Sequence, residues 1–79
     1  MDKYEKFFAQ LDARMRDAVA EAVVKIKAND LDGLDLKPIK GKKDFFRVRK
    51  GKVRIVFMRT PSGNELAAMD WRDSAYRDL

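Results

Sequence analysis

The sequence predicts an α+β domain: two N-terminal helices packed on a small antiparallel sheet, a three-stranded meander, followed by a short C-terminal helix. Three observations carry this expectation. Apolar residues recur at three- and four-residue steps across positions 3–28, the period of a helix with one buried stripe. Between Asp44 and Phe57 apolar and charged residues alternate, the period of a strand with one wet face. A Lys50-Gly51 pair interrupts that alternation, and glycine supplies the positive φ that two-residue hairpin turns need.

The helical stripe consists of Tyr4, Phe7, Phe8, Leu11, Met15, Val19, Ala22, Val23 and Ile26. Asp12 divides it, because aspartate caps helix N-termini by accepting a backbone N–H. A short helix followed by a longer one to about Ala28 is expected; one unbroken helix is the alternative. Asn29-Asp30-Leu31-Asp32-Gly33 is turn chemistry. Leu34 to Gly41 reads as a connector, with Leu36 and Ile39 anchoring it and Lys37, Lys40, Lys42 and Lys43 in water.

In the hairpin, a Lys50-Gly51 turn sets Arg49 against Lys52, Val48 against Val53, Arg47 against Arg54 and Phe46 against Ile55. Phe46, Val48, Val53, Ile55 and Phe57 then share one face, and Arg47, Arg49, Lys52 and Arg54 the other. Thr60 to Asn64 is a second turn. Glu65–Trp71 is a third strand, with Ala67, Met69 and Trp71 on one parity and Asp70 and Arg72 on the other. Asp73–Leu79 is too short to stand alone as a helix and reads as a docked terminal turn or helix. Helices cover one face of the sheet, and the other face is expected to be basic and open.

The chain has 79 residues, which bounds it to one domain, residues 1–79. There is no Cys and no His, so disulfides, thiolate metal sites and His-containing triads are excluded. No apolar run approaches the ~20 residues of a membrane span, and no signal-peptide pattern opens the chain. A cytoplasmic location is the default. Net charge is +5, but between Lys37 and Arg59 ten Lys and Arg stand against one acid, Asp44, a local charge of +9. Both flanks are net acidic. A basic centre on one hairpin face is the electrostatic footprint of a nucleic-acid partner.

Arg47, Arg49, Arg54, Arg72 and Tyr76 are the candidate chemical groups, and Lys40, Lys42, Lys43, Lys50 and Lys52 the candidate RNA contacts. Like charges directly opposite in a ladder are destabilising, with cross-strand pair effects of roughly 0.2–1 kcal/mol. Arg47 set against Arg54 is a cost that a bound phosphate would remove. Arginine forks onto phosphate oxygens but does not shuttle protons. A base must therefore come from Tyr, Lys or a carboxylate. Tyr76 follows Arg72 by one helical turn, so both can point the same way. Composition alone makes Tyr76 an ordinary amphipathic residue sealing the sheet; edge protection is the plain reading of Arg47 and Arg49, but it does not explain an Arg54 placed opposite Arg47. Phe45 and Val56 fall on the basic face, where they can stack a base or pack under the terminal segment.

Leu36-Lys-Pro-Ile-Lys-Gly41, Phe46-Arg-Val-Arg-Lys-Gly-Lys-Val-Arg-Ile-Val-Phe57 and Asp70-Trp-Arg-Asp-Ser-Ala-Tyr76 together resemble the RelE/ParE superfamily of bacterial and archaeal type II toxins. The resemblance covers about the last forty-five residues, and the helix pair fits the family's own. Its specific marks are the basic strand, a G-x-x-R hairpin from Gly51 to Arg54, and Arg72-x-x-x-Tyr76. The RelE branch implies a ribosome-dependent endoribonuclease (an mRNA interferase) that needs no cofactor. Its partners are a cognate antitoxin and the ribosome with bound mRNA. The implied reaction is attack by the ribose 2′-hydroxyl on the adjacent phosphate, leaving a 2′,3′-cyclic phosphate. The resemblance places Arg47 and Arg49 at two basic strand positions of the active site. It places Arg54 and Arg72 at phosphate-binding arginines and Tyr76 at a C-terminal tyrosine.

Two departures are plain. The family begins with a strand before the first helix, which this chain lacks, so a sheet edge is expected to be unfilled. Some RelE proteins carry lysines where Arg47 and Arg49 stand, which shifts base chemistry to Tyr76 or to the ribosome. The ParE branch, which poisons DNA gyrase and generally lacks this residue set, is the alternative. A non-catalytic nucleic-acid-binding module is a third possibility.

Overall fold

The computed structural model describes residues 3–71. Helix α1 spans Lys3–Ala9 and α2 spans Ala13–Lys27. The break falls at Asp12, which is extended (φ −70°, ψ 168°) and accepts the Met15 N–H at 2.8 Å through Oδ1. This is the local competition that makes aspartate an N-cap rather than a helix-interior residue. Leu11, buried beside it, carries the connection into the core.

Helix α2 ends in a Schellman arrangement. Asn29 takes the left-handed conformation (φ 56°) and donates to Ile26 O at 3.0 Å, while Asp30 N donates to Lys25 O at 2.9 Å. The buried Asn64 completes this end: its Nδ2 donates to Ile26 O at 2.9 Å and to Asn29 Oδ1 at 3.1 Å.

Four strands follow: β1 (Asp35–Pro38), β2 (Phe45–Lys50), β3 (Val53–Thr60) and β4 (Gly63–Trp71). They pair antiparallel in sequence order. The sheet thus has one strand more than expected, because the segment read as a connector contains β1, whose Leu36 packs against the core. Among the described residues no strand precedes α1. The expected terminal helix, with Arg72 and Tyr76, lies outside the described residues.

The hairpin register differs from expectation by two residues. The turn is Gly51-Lys52, which sets Lys50 against Val53, Arg49 against Arg54, Val48 against Ile55, Arg47 against Val56 and Phe46 against Phe57. Arg47 therefore does not face Arg54. Glycine at the first central position with φ 60° suits a type II′ turn. Tertiary packing favours the same choice: a Cβ on Gly51 would lie 2.7 Å from Met15 Cε, so helix α2 rests on the hairpin tip. A shift of two leaves every side chain on its original face.

One face of the sheet meets the helices. Val48, Val53, Ile55, Phe57 and Met69 pack with Phe7, Leu11, Val19, Ala22 and Ile26. Phe46 and Phe57 stack at 5.5 Å between ring centroids, and Phe7 meets Trp71 at 5.2 Å. A bulge interrupts β4: Val56 pairs with Ala68 but Phe57 with Leu66, which leaves Ala67 without a partner. Leu66 rather than Ala67 thereby joins Met69 and Trp71 towards the core.

Candidate nucleic-acid interface

The strand registers build the face opposite the helices in rows. Nearest the β2–β3 turn, Asp35, Arg49, Arg54 and Asp70 stand side by side across all four strands. The next row is Lys37, Arg47, Val56 and Ala68. Arg47, Arg49 and Arg54 thus share one face, as alternation within β2 and β3 requires.

The like-charge ladder pair falls on Arg49 and Arg54, and it is flanked by an aspartate on each side. Asp35 Oδ2 accepts from Arg49 Nε at 2.7 Å, and its Oδ1 lies 3.5 Å from Arg47 Nη1. Arg47 Nη1 also donates to the Asp35 carbonyl at 3.2 Å. The Arg49 hydrogen bond holds the Asp35 carboxyl below its usual range; partial desolvation opposes this, and the Arg49 and Arg47 charges assist it. Arg54 Nη1 donates to Gly51 O at 3.0 Å, which ties the guanidinium to its own turn. The arginine pair is therefore partly neutralised from within, and the expected need for an external anion is smaller than opposition alone implies.

Exposure separates the arginines. The Arg49 side chain is 53% exposed and that of Arg47 only 14%. The face is not open throughout, because Val56 at its centre is fully buried. Phe45 and Met58 beside it are half-buried. Complete burial of Val56 removes it as a stacking platform.

The lysines divide into two groups. Lys40, Lys42 and Lys43 are exposed in the loop between β1 and β2, and Lys52 is exposed in the hairpin turn. These lie at opposite ends of β2, whose six residues span roughly 20 Å at ~3.3 Å per residue. Lys50 has the parity of Val48 and lies on the helix side of the sheet, half-buried, rather than among the arginines. Asp35 is the residue the sequence reading missed. Leu34-Asp35-Leu36-Lys37 does alternate like a strand, but four residues ending in a proline do not distinguish a strand from a connector.

Chemically, the described groups can hold and polarise a phosphodiester; the carboxylates in the row are Asp35, engaged by Arg49 and Arg47, and Asp70, whose Oδ1 accepts the Trp71 N–H at 2.7 Å. A helix pair on one side of an antiparallel meander, with arginines on the other, defines an α+β fold that displays donors on a rigid sheet. No protein-family model and no curated protein sequence matches the chain. A chain of the RelB–RelE antitoxin–toxin complex from Methanococcus jannaschii is similar in structure, with a TM-score of 0.75 and 20% sequence identity. The match covers 95% of this chain and 92% of that one. The chain has a RelE-like fold.

Proposed function

We propose that this chain is the toxin of a toxin–antitoxin pair and acts in the cytoplasm as a ribosome-dependent endoribonuclease on mRNA. The observation that carries this reading is the gathering of Arg47, Arg49 and Arg54 on the sheet face opposite the helices, within a RelE-like fold. The resemblance of Arg72-x-x-x-Tyr76 to the family's late motif adds to it. The ribose 2′-hydroxyl attacks phosphorus and loses its proton, the P–O5′ bond breaks, and the 5′-oxygen leaves as a hydroxyl after taking up a proton. Charge gathers on the phosphoryl oxygens, where fixed guanidinium donors stabilise it. Tyr76 or ribosomal groups handle the protons, because arginine does not. An acidic or amphipathic antitoxin segment is the proposed protein partner, in keeping with the solved complex that shares the fold.

The test is incubation of the purified chain with ribosomes programmed with defined mRNA, beside naked RNA. Codon-linked cuts only on the ribosome are expected, and Tyr76→Phe should slow them greatly at unchanged stability. Efficient cutting of free RNA, or a wild-type rate for Tyr76→Phe, would contradict the mechanism. One observation favours a non-catalytic module instead: Asp35 already occupies Arg47 and Arg49. Binding of RNA without cleavage on the ribosome would decide for that second reading.

A further inference from the structure

We propose that Asp35 is a positioning residue for the arginine face: it fixes Arg49 through Nε and Arg47 through Nη1, and leaves the outer fork of Arg49 to a phosphate. The proposal rests on the reading of this face as an RNA-cleaving site. Its basis is geometric. Asp35 is the first residue of β1 and stands directly opposite Arg49 in the ladder. Both ends of the ion pair are thus anchored on paired strands rather than on loops, which is the kind of support that holds a functional side chain to a fraction of an ångström.

The contact atoms matter. A guanidinium offers five N–H donors in a planar fork. Asp35 Oδ2 takes the Nε–H of Arg49 at 2.7 Å, and the Arg49 side chain makes no other hydrogen bond among the described residues. The side chain is 53% exposed and Asp35 engages it through Nε, so Nη1 and Nη2 are the donors the proposal assigns to a phosphate. Arg47 is held differently. Its Nη1 lies between the Asp35 carbonyl at 3.2 Å and Oδ1 at 3.5 Å, and only 14% of the side chain is exposed. One aspartate therefore orients two arginines, the buried one through a backbone and a side-chain oxygen, the exposed one through its inner nitrogen. Arg49 stands opposite a second arginine, Arg54, across the ladder. Without Asp35 the repulsion would turn Arg49 outward, away from a shared phosphate.

A carboxylate beside a phosphate site also repels the ligand. Positioning and affinity therefore move in opposite directions when Asp35 is removed, and unfolding cannot mimic that split, because it lowers both. Asp35→Ala should lower the single-turnover cleavage rate on programmed ribosomes by roughly ten- to a hundredfold, the scale of a misplaced reacting group. Its affinity for a short single-stranded RNA should stay equal or rise, with a steeper salt dependence. Asp35→Asn keeps an oxygen that can accept the Arg49 Nε–H, so it should recover most of the rate. In the wild-type protein, NMR should show the Arg49 Nε–H protected from exchange, and still protected when the oligonucleotide is added.

A wild-type rate for Asp35→Ala, a parallel loss of rate and affinity, or release of the Nε–H on adding RNA would overturn the proposal. Release in particular would mean that the phosphate displaces Asp35 rather than binding beside it. The outcomes separate this proposal from the nuclease reading. A wild-type chain that cuts no mRNA, yet binds RNA with the Nε–H still protected, overturns the reading and leaves the role of Asp35 standing. A chain that binds no RNA overturns both.

Discussion

Arg49 and Arg54 stand directly opposite each other across the β2–β3 ladder, and each has an aspartate as its neighbour on the far side, Asp35 on β1 and Asp70 on β4. An acid-base-base-acid row is electrostatically tolerable where an isolated arginine pair is not. It lets the fold keep two arginines at facing ladder positions, with Arg49 paired to Asp35 and the Arg54 guanidinium turned to the Gly51 carbonyl.

That arrangement sets the expected behaviour of Arg54→Thr. The change removes the repulsion from Arg49, a pair effect of up to ~1 kcal/mol. It also removes the Arg54 hydrogen bond to the Gly51 carbonyl, a loss of about 1 kcal/mol. Stability should therefore move by no more than about 1 kcal/mol, while cleavage falls by about 10²-fold if the guanidinium meets the transition-state phosphoryl group. A urea midpoint and a single-turnover rate for the same variant check both halves. A clearly lowered midpoint with an unchanged rate per folded molecule would make Arg54 a structural residue.

Asn64→Ala is expected to cost about 1–3 kcal/mol, the range for stranding buried hydrogen-bonding groups. The buried amide is the donor to both Ile26 O and Asn29 Oδ1. Asn64→Asp keeps the size but sets an acceptor against two acceptors, so at neutral pH it should cost at least as much. Hydrogen exchange localises the effect: the last turn of α2 should lose protection before the sheet does.

Gly51→Ala should destabilise the protein by about 1–2 kcal/mol, chiefly from forcing a left-handed φ on an L-residue. The backbone there has φ 60°, and the new methyl would lie 2.7 Å from Met15 Cε, a flexible atom that can swing aside. Chemical denaturation measures the loss. An unchanged midpoint would show that the turn can slide to the alternative register.

Acid should weaken the β1 edge. The folded Asp35 carboxyl is held below its ordinary value of 3.8, first by the Arg49 hydrogen bond. A lowered folded pKa contributes stability that is present above the unfolded value and lost as pH falls through the folded one. Wild-type and Asp35→Asn should therefore differ in urea midpoint above pH 3.8 and converge below it. The carboxylate is well exposed, so salt should shrink the difference. A gap that persists at the lowest pH would assign it to packing instead.

The fold was legible where local chemistry decides it. The Asp12 break needs only a side-chain oxygen and a free N–H, and both faces of the hairpin follow from alternation. The register was not legible, because Lys50-Gly51 and Gly51-Lys52 both place glycine in a two-residue turn. The packing of Met15 on the tip is tertiary information. Strand β1 was hidden by its length of four residues and by its proline. The bulge at Ala67 was hidden because Leu66-Ala67-Ala68-Met69 is apolar throughout and carries no parity mark. For the site, the shared face of three arginines was readable, but Asp35 was not, since its role exists only once β1 is paired.

The meander order also has a kinetic consequence. Every strand pairs with its neighbour in sequence, so the sheet can zip from one turn to the next with little loop-closure entropy at any step. The distant closures join helices to sheet, as in the bond from Asn64 to Ile26 across 38 residues and the ring contact of Phe7 with Trp71. The helix pair should therefore lock onto a sheet already largely formed. Asn64→Ala should accordingly speed unfolding far more than it slows folding.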